Sequence, residues 1–181
     1  MDFNKYTSKA NEAIYQSQQI AREHFHQAIE PIHLLSALIS QPDGIVPALI
    51  TKIAGHVSGL MDTVKKDLDS HPKISGAIGE IGLSSQAVQV LEAAERFSKG
   101  MQDDYTSTEH ILLALLESPE GKILNQFGLT KDSVLKALLE VRGNQRVTSQ
   151  NPEDTYQSLE NEALEIIRML KGLINAVLAK R

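Results

Sequence analysis

An internal repeat constrains the fold of this chain more than any other feature of its sequence. When the sequence is shifted by 77 positions, small, apolar and helix-starting residues of the first half coincide with those of the second half. The coinciding pairs are Ser8/Ser85, Ala10/Ala87, His33/His110, Leu35/Leu112, Ala37/Ala114, Leu38/Leu115, Pro42/Pro119 and Gly44/Gly121. After these pairs the shift falls to 73, so that Gly55 meets Gly128; the first copy therefore carries about four extra residues, close to one helical turn. The pattern predicts two copies of one unit, at about 6–69 and 83–142.

Each copy predicts four helices. After Thr7 and after Ser84, apolar and small residues recur every three or four positions, which predicts the first helix of each copy. Thr7 and Ser84 themselves have hydroxyl side chains of the kind that caps a helix N-terminus. The second helices begin at Pro31 and Thr108 and are almost continuously apolar, which predicts that they form the centre of the molecule. The remaining predicted helices cover 45–54 and 56–69 in the first copy, and 121–127 and 130–142 in the second. We therefore predict an all-α, pseudo-twofold bundle of two four-helix repeats.

Composition excludes several classes of protein. The formal net charge is −5, and we find no concentrated Lys/Arg surface, so we expect no nucleic-acid partner. The absence of cysteine excludes disulfides, thiolate metal sites and thiol catalysis. The first residues lack the basic and then apolar run of a signal peptide, and no stretch has the roughly 20 apolar residues needed to cross a bilayer. We expect a cytoplasmic protein that does not associate with membranes.

No residue pattern supports catalysis or a cofactor. His24, His26 and His33 lack the i, i+4 partner of a helical zinc site, so we expect no metal. The equivalence of His33 and His110 instead points to a shared packing or capping role. A phosphate-binding Gly-x-x-x-x-Gly-Lys-[Ser/Thr] loop is absent, since Gly121-Lys122 is followed by Ile123. We expect a non-enzymatic chain that binds no cofactor.

Four segments together carry a family resemblance. They are the opening Phe3-Asn4-Lys5-Tyr6-Thr7, the helix starts Glu30-Pro31-Ile32-His33-Leu34-Leu35 and Thr108-Glu109-His110-Ile111-Leu112-Leu113-Ala114-Leu115, and the closing segment from Val147-Thr148-Ser149-Gln150-Asn151-Pro152 to Leu159-Glu160. Over about residues 1–160 the chain resembles the N-terminal domain of ClpB-type protein disaggregases. The resemblance implies a double Clp-N domain at 1–146 and a linker at 147–160.

The resemblance also implies a function. In that family the domain is tethered to an AAA+ motor and offers a docking surface for exposed apolar segments of unfolded or aggregated polypeptides. The motor is not encoded in this chain. One alternative is the adaptor-binding N-domain of a protease-coupled Clp unfoldase, although the closing segment favours the disaggregase. Another alternative is an oligomerisation scaffold.

Five residues are implied as the substrate site. Thr7, Asp103 and Glu109 match polar positions linked in the family to substrate engagement, and Leu91 and Phe97 match positions that line an apolar groove. Structural roles compete with this interpretation. Thr7 is also an N-cap, and Glu109 lies in a first helical turn, where it suits the helix dipole or closes a capping box with Thr106. Leu91 and Phe97 have the spacing of core residues. Asp103 has no evident structural role in the sequence.

The C-terminal segment 161–181 predicts an amphipathic helix that departs from the family pattern. Its apolar seam begins within the linker and comprises Tyr156, Leu159, Ala163, Ile166, Leu170, Leu173 and Val177. Because such a face is unfavourable in water, it should pack on the domain, on a partner or on another copy of the chain. We expect homo-oligomerisation through residues 156–178, with binding of a basic helix to a membrane surface as the lesser alternative. The departure suggests truncation or fusion of a longer chain.

Overall fold

The computed structural model describes residues 2–75, 79, 81–143, 145–152 and 165–171. Among the described residues up to 143, a short 3-10 helix at Phe3–Lys5 precedes eight α-helices. The helices are α1 (Ser8–Glu23), α2 (Pro31–Ser40), α3 (Ile45–Ala54), α4 (Ser58–Ser70), α5 (Ser85–Gly100), α6 (Thr108–Leu116), α7 (Gly121–Gln126) and α8 (Lys131–Arg142). No β-strand occurs within these described ranges. The prediction of an all-α fold is confirmed.

Local signals in the sequence account for where the helices begin. The Thr7 hydroxyl accepts a hydrogen bond from the Ala10 N–H (3.2 Å), and the Ser84 hydroxyl accepts one from the Ala87 N–H (3.1 Å). Both predicted N-caps are therefore confirmed. Helix α3 has 10 residues and its counterpart α7 has 6, which places the extra turn of the first copy in this helix.

Reciprocal backbone contacts relate the two repeats. The Thr7 N–H donates to the Thr106 carbonyl oxygen (3.0 Å), and the Ser84 N–H donates to the Ile29 carbonyl oxygen (3.0 Å). Ser84 follows Thr7 by 77 positions, and Thr106 follows Ile29 by the same number, so each repeat makes the same contact with the other. The segment before the first helix of each repeat is thus joined to the loop after the first helix of the other repeat.

The core lies between the central helices α2 and α6. Leu34 and Leu35 on α2, and Leu112 and Leu113 on α6, have no exposed surface. Each such side chain contributes about 1.5–3 kcal/mol when it leaves water. Helix α8 packs on α3 of the first repeat, and α4 packs on α7 of the second, so the repeats share one core.

The length and apolarity of the helices bear on whether any of them could span a membrane. Among the described residues, no single helix is long and apolar enough to cross a bilayer. Helices α2 and α3 together meet the requirement, with a bend of 86° between them. Both contribute mainly buried residues to the core, which by itself accounts for their apolar composition.

The described residues beyond α8 fall into two parts. Val147 is fully buried, and the Gln150 carbonyl oxygen accepts a hydrogen bond from the Ser8 N–H (2.8 Å). The described part of the predicted 147–160 linker therefore lies against the body of the domain. Residues 165–171 are helical and exposed, as expected for part of the predicted 161–181 helix. The rest of that predicted helix, and of the 156–178 seam, lies outside the described residues.

Candidate functional site

The structure places most of the five predicted site residues in the interior. Thr7, Leu91 and Glu109 have no exposed surface, and Asp103 is 8% exposed. Phe97 is half-buried, and its exposed part reaches the surface of α5. Four of the five residues are therefore positioned to support the fold, and only Phe97, which is half-buried, keeps part of its side chain accessible.

A buried polar network joins Asp103 to three other parts of the second repeat. Its Oδ2 accepts hydrogen bonds from His110 Nε2 (2.9 Å) and Arg142 Nη2 (2.8 Å), and its Oδ1 accepts one from the Val147 N–H (2.7 Å). Arg142 Nη1 also donates to Glu109 Oε1 (3.0 Å). The network connects the α5–α6 loop, α6, the end of α8 and the segment after it. Asp103 thus has the structural role that its sequence context did not reveal.

The network keeps Asp103 ionised. Burial by itself would raise the pKa of the Asp103 carboxyl, but hydrogen bonds from His110, the Val147 N–H and Arg142 outweigh it and hold the pKa below its ordinary value. The carboxylate has no exposed surface and both of its oxygens accept hydrogen bonds from protein donors, so no side of it is open to a substrate. The arrangement is therefore suited to joining helices rather than to catalysis.

The cap of α6 differs from the predicted capping box. Ser107, not Thr106, is the N-cap, and its N–H donates to His110 Nδ1 (2.9 Å). The predicted box of Thr106 and Glu109 is wrong because the cap lies one residue later, which brings His110 into the third helical position. Glu109 turns inward to Arg142 instead. The role of His110 confirms the predicted capping function of the repeat-equivalent histidines.

The first repeat has the same arrangement of a capping histidine and a buried hydrogen-bond partner, made from different residues. His33 Nδ1 accepts from the Glu30 N–H (2.8 Å), and its Nε2 lies 2.7 Å from His26 Nδ1. His26 precedes Asp103 by 77 positions, so a neutral imidazole accepts the hydrogen bond here that a carboxylate accepts in the second repeat. Among the described residues, no group of three or more His, Asp or Glu side chains is placed to hold a metal ion.

Sequence reasoning missed Arg142, the cation of the network. It lies in the last turn of α8, where a basic residue is expected simply because it suits the helix dipole. Nothing local distinguishes it from an exposed arginine such as Arg146. Its burial, with 6% of the residue exposed, depends on the packing of α8 against the rest of the domain.

Two surfaces of the described residues remain accessible at equivalent places in the repeats. In the second repeat, Lys131 Nζ lies 4.7 Å from the centre of the Phe97 ring. In the first repeat, a groove of about 450 Å³ lies between α1, α2 and α4. Its apolar lining consists of Ile20, Met61 and Leu68, and Ile20 is the repeat equivalent of Phe97. This volume is within the range of ligand pockets, about 300–1,000 Å³.

Comparison with known families agrees with this architecture. Residues 5–127 match the model of the Clp repeat N-terminal domain. The chain belongs to this family. Relatives of this Clp repeat domain include the ClpB chaperone of Nitratidesulfovibrio vulgaris, which is 36% identical over 188 aligned residues. The alignment covers 99% of the chain, and so extends beyond Glu160, but only 22% of the relative.

Solved structures of Clp repeat domains have the same fold. The Hsp104 N-terminal domain from Candida albicans has a TM-score of 0.70 and 29% identity, and the similarity covers 82% of this chain and 99% of that one. A complex of the ClpV N-domain with a VipB peptide has a TM-score of 0.62 and 21% identity, covering 81% and 92% of the two chains. The Clp repeat domain described here spans about a fifth of the length of its ClpB relatives.

Proposed function

We propose that this Clp repeat domain recognises exposed apolar segments of unfolded or aggregated polypeptides, for delivery to an AAA+ motor that this chain does not contain. The observation that carries the proposal is the groove beside Ile20, with its apolar lining. The buried polar network around Asp103 has a structural role and offers no competing site. Unfolded chains differ from folded ones mainly in the apolar side chains that they expose. A partly open groove with an apolar lining is suited to such side chains, whatever the surrounding sequence.

The predicted site residues have two roles in this proposal. Phe97 contacts the polypeptide directly, since it is the one of the five with substantial exposed surface. Thr7, Leu91, Asp103 and Glu109 act indirectly, because they hold α1, α5, α6 and the connecting loops in place. We propose that the protein acts in the cytoplasm without chemistry of its own, in contact with the remainder of an AAA+ chaperone.

Binding of a folded adaptor or of a defined peptide is the second candidate. The ClpV N-domain, solved in complex with a VipB peptide, has the same fold, which supports a peptide ligand as the second candidate. The two candidates differ in the ligand rather than in the protein surface.

Titration of a fluorescently labelled, permanently unfolded polypeptide tests the proposal. Met61 is 40% exposed and lies in the groove, so Met61→Asp should weaken binding roughly tenfold or more, because an apolar contact of about 1.5 kcal/mol is lost and a charge is introduced. Asp62→Ala, next to it and outside the groove lining, is the matched control and should bind as the unaltered domain does. Phe97→Asp measures how much the second repeat contributes to polypeptide binding.

The outcomes separate the alternatives. Weakened binding in Met61→Asp or in Phe97→Asp, with folded protein by circular dichroism, supports polypeptide recognition at that surface. If both variants bind the unfolded polypeptide as the unaltered domain does, the proposed site is wrong. If the unaltered domain does not bind it at all, the adaptor-binding candidate takes precedence.

A further inference from the structure

The helix 165–171 carries an apolar face that remains about half exposed to solvent. Ile166, Ile167, Met169 and Leu170 are 46–59% exposed. With 100° between successive helical residues, these four side chains occupy one continuous side of the helix, and Glu165, Arg168 and Lys171 occupy the other. An apolar face of this kind needs a partner surface.

The groove in the first repeat is a matching surface. Helix α2 forms its floor and presents two small residues there, Ser36 and Ser40, while α1 and α4 form its walls. At the place of Ser36 the second repeat has Leu113, which is fully buried. Ser36 therefore leaves space in the first repeat that Leu113 fills in the second repeat.

The charges at the two walls fit those of the helix. Glu23 lines the groove from α1 and Lys65 lines it from α4; both are exposed, and neither forms an ion pair within the described part of the chain. Lys171 borders the apolar face of the exposed helix on the Ile167 side, and Glu165 borders it on the Met169 side. In one direction along the groove, Lys171 faces Glu23 while Glu165 faces Lys65. The opposite direction places like charges together, so the charges favour one orientation, by at most about 1 kcal/mol for each exposed pair.

We propose that the helix 165–171 of a second copy of this chain docks into the α1/α2/α4 groove, with Ile166, Ile167 and Leu170 towards the floor. Two copies can exchange their helices reciprocally, which gives a closed, symmetric pair. The dimer then occupies the groove that polypeptides use, so self-association regulates access to it. This inference rests on the proposed function only in that both assign binding to the same groove.

Sedimentation of the full chain over a range of concentrations tests the pairing. The expected result is a monomer–dimer equilibrium that weakens roughly tenfold or more in Leu170→Asp and in Met61→Asp, since each removes an apolar contact from one side of the interface. Arg168→Ala, on the charged side of the same helix, is the matched control and should leave the equilibrium unchanged. A chain that stays monomeric at about 100 μM, or a dimer unaffected by Met61→Asp, overturns the proposal.

Charge exchange and cross-linking test its geometry. Glu23→Lys and Lys171→Glu should each weaken the dimer about two- to fivefold at low salt, and the double variant should recover it. Because the chain has no cysteine, single Ser40→Cys and Ile166→Cys chains can be mixed, and only docking between copies joins them by a disulfide. A chain that carries both cysteines provides the comparison. If this chain cross-links readily within itself while the mixture does not cross-link, the helix docks within one chain and the proposal is overturned.

Failure of this inference is distinguishable from failure of the proposed function. Leu170→Asp should bind unfolded polypeptide at least as tightly as the unaltered chain, because the competing helix is released. Loss of the dimer with retained polypeptide binding supports the regulatory role of the helix. A dimer that forms in a chain unable to bind polypeptide contradicts the proposed function alone.

Discussion

Asp103→Ala provides the sharpest test of the role assigned to the buried network. The Asp103 side chain has no exposed surface and accepts hydrogen bonds from His110, Arg142 and the Val147 N–H. Removing the carboxylate leaves the Arg142 guanidinium, only 6% exposed, without one of the carboxylates with which it pairs. It also leaves an imidazole N–H and a backbone N–H without their acceptor.

The expected loss of stability can be worked from these contacts. Breaking a buried ion pair by removing one partner costs about 3–5 kcal/mol, and each buried donor left without an acceptor costs about 1–3 kcal/mol. Because Glu109 still neutralises Arg142, and because these contributions describe the same contacts and are not additive, we take the lower part of the ion-pair range alone and expect Asp103→Ala to lower the free energy of unfolding by about 3–4 kcal/mol. Its sequence neighbour Asp104 pairs with Arg146 at the surface, where both side chains are about half exposed. Asp104→Ala should cost at most about 1 kcal/mol.

Urea unfolding followed by circular dichroism at 222 nm measures both variants, since the chain has no tryptophan but is rich in helix. Equal effects of the two substitutions, or a loss below about 1 kcal/mol for Asp103→Ala, would refute the assignment of Asp103 to a structural network. The result also bears on function. Weaker polypeptide binding in Asp103→Ala is informative only at a temperature at which the variant is fully folded.

Three further predictions follow from single contacts. Tyr6→Phe removes the hydrogen bond from the tyrosine hydroxyl to Glu95 (3.0 Å) and should lower the unfolding free energy by about 1 kcal/mol, measured in urea. Gly121→Ala should lower it by about 1–3 kcal/mol, because a Cβ there would overlap the Leu116 carbonyl oxygen. Burial lowers the pKa of His33 to about 4; the unfolded chain therefore binds more protons between pH 6.5 and 4, and unfolding free energy measured across this range should fall as the pH falls.

Each of these predictions has a matched control. Tyr15→Phe alters a tyrosine that is 63% exposed and should leave stability unchanged. Gly100→Ala introduces a Cβ with no atom within 4 Å and should be neutral or slightly stabilising. His56→Gln alters an exposed histidine and should keep the acid dependence, whereas an unchanged acid dependence in His33→Gln would contradict the assignment to His33.

Much of the fold could be predicted because its determinants are local. Thr7 and Ser84 cap their helices through atoms three residues away, and Pro31 sets the first turn of α2 through its own ring. Because the two halves of the chain are repeats, a helix predicted in one half also predicts its counterpart in the other half. The cap of α6 was misplaced by one residue because Thr106 and Ser107 are both suitable caps by type.

The site was less predictable because burial is not a local property. Asp103 lies in a polar loop sequence typical of exposed turns, and Arg142 lies where basic residues commonly end helices. They meet only because α8 returns across the second repeat to the α5–α6 loop. Similarly, Ile20 and Phe97 have the same pattern in sequence, yet the groove lies at Ile20.

The amino-acid sequence alone determined the two repeats, the helix starts and the family to which the chain is similar, since these depend on spacing, caps and turns along the chain. Only the tertiary structure decided which polar residues are buried ion pairs and which apolar residues remain open to a partner. Desolvation and charge pairing depend on residues distant in sequence: Arg142 lies 39 residues from Asp103 and 33 from Glu109. The packing of α8 brings these charges together, and the small residues of α2 leave the groove open.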